Sequence, residues 1–173
     1  MKSKFDVVCF SDSPWDTPIW TNKQHIMSRV SKLGHNVLFV DPPLSVSGWY
    51  KWWRSGRIKF SNLFKWTRKE NTNLTVFSPI VLPPRFGGLR YINNLFRLRG
   101  IKRLISKLGF KNHIVWIYHP DAAYFLGKTG EKFILYDCVD QFSAFPAYSD
   151  LRRKREIESN EMKILEKANV VIT

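Results

Sequence analysis

The chain has 173 residues, long enough for one domain with a full core. Hydrophobic residues make up 44% of it, which excludes a disordered tail, and no apolar run reaches the 18 residues of a membrane-spanning helix. Lys and Arg number 28 against 14 Asp and Glu, and a net charge of +14 implies an anionic partner: a membrane surface, a nucleic acid or a phosphorylated substrate. The imbalance is local, since 15 Lys and Arg residues lie between Pro42 and Pro120 with a single acid, Glu70. The N-terminus enters its first strand at once and holds too short an apolar run for a signal peptide. Cys9 and Cys138 lack CxxC or metal-ligand spacing and read as reduced core thiols of a cytoplasmic protein.

Phe5–Phe10 (FDVVCF) is a short apolar run of the central-strand kind. Ser11–Thr21 follows as a long polar loop with Pro14, Trp15, Asp16, Pro18 and Trp20 but no glycine. It is therefore neither G-x-G-x-x-G nor a P-loop, both of which need glycine for the backbone to approach a pyrophosphate. Asn22–Leu33 reads as a helix with Ile26, Val30 and Leu33 on one face, ended by Gly34. Asn36–Val40 is the second strand, stopped by Asp41-Pro42-Pro43, which completes one right-handed strand–helix–strand crossover.

Ser45–Asn73 breaks that alternation with a basic, aromatic insertion. Trp49, Trp52, Trp53 and Trp66 are interleaved there with Lys51, Arg54, Arg57, Lys59, Lys65, Arg68 and Lys69. Two readings stand side by side: a helical insertion packed on the core with a solvated basic side, or an interfacial anchor. Trp among Lys and Arg is the composition of the second, and each basic residue near an anionic bilayer contributes about 1 kcal/mol.

Leu74–Phe77 is a third strand, and the proline-rich Ser78–Pro84 cannot be a central one. In the basic stretch Arg85–Gly109, the helical stripe Ile101, Leu104, Ile105 and Leu108 is out of phase with Ile92, Leu95 and Phe96. That mismatch predicts a kink or break at Gly100. Ile114–Tyr118 is the fourth strand, ending in His119-Pro120-Asp121 and a short helix near Ala122–Leu126. His119 reads either as a loop histidine capping that helix or as a functional side chain on the carboxyl edge of the sheet. Phe133–Asp137 is the fifth strand. Asp150–Ala168 is a helix with Ile157, Ile164, Leu165 and Ala168 inward and Ser149 or Asp150 as its cap. Val170–Thr173 begins a sixth strand, where the chain stops.

Six short strands alternating with helices predict an open, doubly wound, mostly parallel α/β sheet ordered 3-2-1-4-5-6. Ligands bind such a sheet beyond the carboxyl ends of its first and fourth strands. The loop Ser11–Thr21, the turn at His119 and the segment Asp137–Phe142 would meet there, so that Asp16, His119 and Asp140 converge.

The ordered segments SDSPWDTPIWTNKQHIMSRVSKLGHNVLFVDPP, FSPIVLPP, VWIYHPDAAYFL, ILYDCVDQFSAFP and EMKILEKANVVIT resemble the N-terminal half of bacterial GT-B glycosyltransferases of family four. The likeness is to the branch of teichuronic-acid and capsular or exopolysaccharide enzymes of the cell envelope. It runs from about Phe5 to Thr173, with Ser45–Asn73 the least matched. It implies a Rossmann-like domain, here residues 1–173, that binds the acceptor. A C-terminal domain that binds the nucleotide-sugar is absent from this chain. The expected reaction is sugar transfer, with retention and without metal or cofactor, to a membrane-associated polysaccharide or lipid-linked acceptor. The expected location is the cytoplasmic face of the plasma membrane, held peripherally. Alone, this half would bind acceptor or membrane and turn over nothing.

In that resemblance His119 matches the histidine near the reacting sugar. Asp16 lies in the loop that approaches donor phosphate and acceptor, and either side chain could orient the incoming hydroxyl. The family loop is often glycine-rich, and Trp15-Asp16 here favours a side-chain contact. Trp15, Asp140 and His25 are the acceptor-binding candidates. Trp49, Trp52, Trp53, Lys51, Arg54 and Arg57 are the membrane-binding ones. Glu161 reads as structural. The competing class is a basic α/β nucleic-acid-binding module, supported by charge and interleaved aromatics but by no recognisable motif, so no nucleic-acid partner is expected.

Overall fold

Val7, Val8, Cys9 and Phe10 are all buried, which requires cover on both faces of the strand they form, β1 (Asp6–Phe10). The computed structural model describes residues 4–45, 54, 66–82, 87–146 and 149–173. Parallel neighbours flank β1: β2 (Asn36–Val40), with Leu38 opposite Val8, and β7 (Ile114–Ile117), with Val115 opposite Val8. Beyond β2 lies β5 (Leu74–Phe77), and beyond β7 lie β8 (Phe133–Asp137) and β9 (Val170–Ile172), all parallel. These six strands have the order 3-2-1-4-5-6 expected from the sequence.

A seventh strand, β4 (Thr67–Asn71), pairs antiparallel on the outer edge of β5. It falls inside the stretch read as an insertion. Its residues, TRKEN, carry no apolar alternation because an exposed edge strand has no face to bury. A separate parallel pair, β3 (Leu44–Ser45) with β6 (Ile80–Val81), holds the two loops that leave β2 and β5.

Period-two alternation divides the core into two layers. Val7, Cys9, Val37, Phe39, Leu74 and Val76 pack with Met27 of α1 (Asn22–Lys32). Val8, Phe10, Leu38, Val40 and Phe77 face the other way, against Ile101 and Ile105 of α2 (Gly87–Leu108) and Ile164 of α3 (Leu151–Lys167).

Four local expectations are corrected. First, α2 is one unbroken helix of 22 residues. A Cβ on Gly100 would lie 2.8 Å from Cζ of Phe77, so that glycine lets the helix approach β5 closely and does not break it. Second, Leu33 is 73% exposed: it is the C-cap of α1, ahead of Gly34 at φ +94, and α1 buries Lys23, Gln24 and Ser31. Third, Leu165 lies on the outer side of α3, whose inward residues are Ile157 and Ile164. Fourth, the helix after His119 is a 3-10 turn, Pro120–Phe125. Asp150, and not Ser149, caps α3 by accepting from the Arg153 N–H at 2.9 Å. Among the described residues no helix is long and apolar enough to cross a membrane.

Candidate functional site

From β1 the chain turns towards β2, and from β7 it turns the other way towards β8, so the segments after β1 and β7 diverge and leave a crevice. A cleft of about 250 Å³ lies there. Its wall takes Phe10, Ser11 and Asp12 from the end of β1, Val40 and Asp41 from β2, His119, Asp121 and Ala122 from β7, and Arg97 from α2.

His119 is held from two sides. Its ring lies edge-on to Phe142, with centroids 4.6 Å apart, and its Nδ1 accepts the Asp121 N–H at 3.1 Å. That bond occupies the Nδ1 lone pair, so a neutral ring carries its proton on Nε2. Burial pushes the imidazole below its usual 6.5, against the opposing field of Asp121, so the neutral ring prevails at pH 7. The cap reading of His119 is realised, since Nδ1 caps the 3-10 turn, and the ring also lines the cleft at the carboxyl edge of the sheet. In this tautomer Nε2 carries the proton and is a donor, not an acceptor.

The carboxylates of the wall are each engaged. Asp12 pairs with Lys23 of α1 at 2.6 Å. Asp121 takes Arg153 of α3 at 2.6 Å; burial would raise its pKa, but the Arg153 bond and neighbouring cations hold it below the usual carboxylate value. Asp41 accepts the Trp15 N–H at 2.8 Å on one oxygen and the Ser78 hydroxyl on the other, and burial still pushes it from 3.8 up to about 6. Arg97 lies over the Phe125 ring, its guanidinium carbon 4.8 Å from the ring centroid. Its Nη1 reaches Asn94 at 3.2 Å, and burial draws its pKa down to about 10.

Among the described residues expected at the site, only His119 lies in the cleft wall. Asp16 turns away, 64% exposed, to pair with Arg68 of β4 at 2.9 Å. Asp140 is exposed on the far side of Phe142 in sequence and does not line the cleft, so the expected convergence with His119 is not formed. Trp15 contributes its backbone N–H to Asp41, while its ring is buried against Phe39 and Trp20. His25 is exposed, edge-on to Trp20. Glu161 is structural, as expected: the Tyr136 hydroxyl donates to it at 2.6 Å. Trp49, Lys51, Trp52, Trp53 and Arg57 lie outside the described residues, and Arg54 is exposed. No group of three His, Cys, Asp or Glu side chains is placed to hold a metal ion among the described residues.

Sequence reading missed Asp12, Asp41, Arg97 and Asp121. Asp41 and Asp121 follow strands two and four as directly as His119 does, so the same edge rule finds them. Arg97 was hidden in a basic run, yet Asn93 and Arg97 continue the buried stripe of Ile101 and Ile105 at intervals of four. A polar side chain in the buried phase of a helix is the signal. No protein-family model matches the chain, and no curated protein sequence matches it.

Proposed function

We propose that this chain is the acceptor-binding half of a retaining GT-B glycosyltransferase. It takes a membrane-associated polysaccharide or lipid-linked acceptor, while a second domain brings the nucleotide-sugar. The observation that carries this reading is His119, fixed as a neutral donor in the wall of a cleft at the switch point of a parallel sheet. Nucleotide-dependent transfer on doubly wound sheets uses that crevice. At about 250 Å³ the cleft sits just below the range of small-molecule pockets and has room for one sugar-sized group.

The chemistry follows from the wall. Glycosyl transfer breaks the bond from the anomeric carbon to the leaving phosphate and forms one to the acceptor hydroxyl, whose proton must leave. Retention puts the incoming hydroxyl on the face of the leaving phosphate, so a phosphate oxygen can take that proton. The domain then has to orient and to stabilise charge, and a preorganised neutral donor such as His119 Nε2–H does both. Phe10, Val40 and Ala122 supply an apolar wall that excludes water from competing with the acceptor. The basic insertion, with Trp49, Trp52 and Trp53, would hold the domain on the anionic inner face of the plasma membrane, where the acceptor resides.

The test is transfer by the complete protein, supplied with membranes and a panel of radiolabelled nucleotide-sugars. The reading expects label in the glycolipid or polysaccharide fraction. No transfer from any donor, together with RNA binding that survives raised salt, would overturn it in favour of a nucleic-acid-binding module.

A further inference from the structure

Every carboxylate in the cleft wall has a cationic or hydrogen-bonding partner of its own, but one cation does not have a carboxylate. Asp12 is taken by Lys23, Asp121 by Arg153, and Asp41 by Trp15 and Ser78. Arg97 is 8% exposed and forms no ion pair among the described residues. Its Nε is buried without a hydrogen-bond partner among them. Buried arginine is costly unless paired, and an unsatisfied buried donor adds to the cost. The packing keeps the guanidinium in place nonetheless: it lies on Phe125, which is stacked in turn on Phe10 at 5.1 Å. The N–H fork of a guanidinium matches an oxyanion.

We propose that this cleft is an anion site in which Arg97 binds a phosphate group of the ligand. Arg97 on α2 and His119 after β7 line the cleft from different elements. A tetrahedral phosphate offers acceptor oxygens in both directions, whereas a planar carboxylate fills one fork. Lys23 and Arg153 offset the charges of Asp12 and Asp121 in the same wall. The anion site rests on the cleft alone. Identifying its phosphate as that of a phosphorylated acceptor rests on the sugar-transfer reading above. Arg97 is then a binding residue that sets the acceptor class, with a phosphate next to the accepting sugar.

The probe is glycerol 3-phosphate, titrated calorimetrically into the full chain, with glycerol as the uncharged control and malonate as the carboxylate control. Phosphatidic acid in phosphatidylcholine vesicles displays the same headgroup on a membrane. The site predicts saturable binding of glycerol 3-phosphate, stronger than malonate, and at least about a tenfold weakening in Arg97→Met, because a charge-assisted hydrogen bond is lost. Should Arg97→Met fold poorly, Arg97→Lys decides: charge without the fork predicts weakened binding at a native melting temperature. Equal binding by native and variant chains, or none by the native chain, overturns the proposal. Vesicle binding that persists in Arg97→Met while the soluble phosphate fails to bind also overturns it, by assigning the contact to surface charge. Anion binding without sugar transfer in the complete protein removes the transferase reading and leaves this site standing; transfer without anion binding does the reverse.

Discussion

Replacing Asp41 with Asn isolates one buried charge at the meeting point of three segments. Asp41 joins the first loop, through the Trp15 N–H, to the end of β5, through Ser78. Burial raises its pKa from 3.8 to about 6 in spite of those two bonds. The folded state therefore holds the proton more tightly than the unfolded chain, so its contribution is fully present below pH 3.8 and is lost as the pH rises through 6. By linkage, ionising it in the fold costs about 3 kcal/mol once both states are charged, and most of that accrues between pH 4 and pH 7. Asn keeps the geometry: its oxygen accepts from Trp15, and its amide donates to the Ser78 hydroxyl, which reverses its role. The stability of Asp41→Asn minus that of the native chain should therefore climb by about 2–3 kcal/mol from pH 4 to pH 7. Urea denaturation reads this as a shift of roughly 1 M in midpoint. Other titrating groups are common to both proteins and cancel. A difference flat to within about 0.5 kcal/mol across that range would refute the buried-acid account.

Gly100→Ala puts a methyl against Phe77; the overpacking of about 1–3 kcal/mol should exceed the gain of about 1 kcal/mol in helix propensity and lower the melting temperature. A Gly100→Ala/Phe77→Leu double variant should show favourable coupling between the two sites, and strict additivity would contradict the close approach. Substituting Trp49, Trp52 and Trp53 by Ala should release the chain from anionic liposomes in flotation, while unchanged flotation would end the anchoring idea. The ring of His119 should show the Nε2–H tautomer by nitrogen NMR at pH 7; a protonated Nδ1 would contradict its cap geometry.

The sheet was legible because burial on two faces writes itself into sequence. VVCF, VLFV, LTVF and IVWI are short, apolar and bounded by turn residues, and their order follows from right-handed crossovers. What stayed hidden lacked that signature. β4 is held by edge pairing and by Arg68, whose partners Asp16, Glu70 and Ser78 lie on both sides of it in sequence. Gly100 looked like a break because local sequence does not show Phe77 waiting across the layer. The site was legible in one residue, His119, since a strand that ends in a polar turn marks the edge where ligands bind. Asp16 and Asp140 were placed there from topology alone, and topology fixes a loop's origin but not the direction of its side chains. Arg97 required reading helical phase through a polar residue.

Turnover of His119→Ala in the complete protein tests the sugar-transfer proposal most directly. If Nε2–H stabilises charge in the transferring complex, kcat should fall by about 100- to 1,000-fold, the loss typical of one preorganised donor. KM for the nucleotide-sugar and the melting temperature should change little. Turnover near that of the native protein, with the fold intact, would remove His119 from the chemistry and with it the cleft as the place where the sugar is transferred.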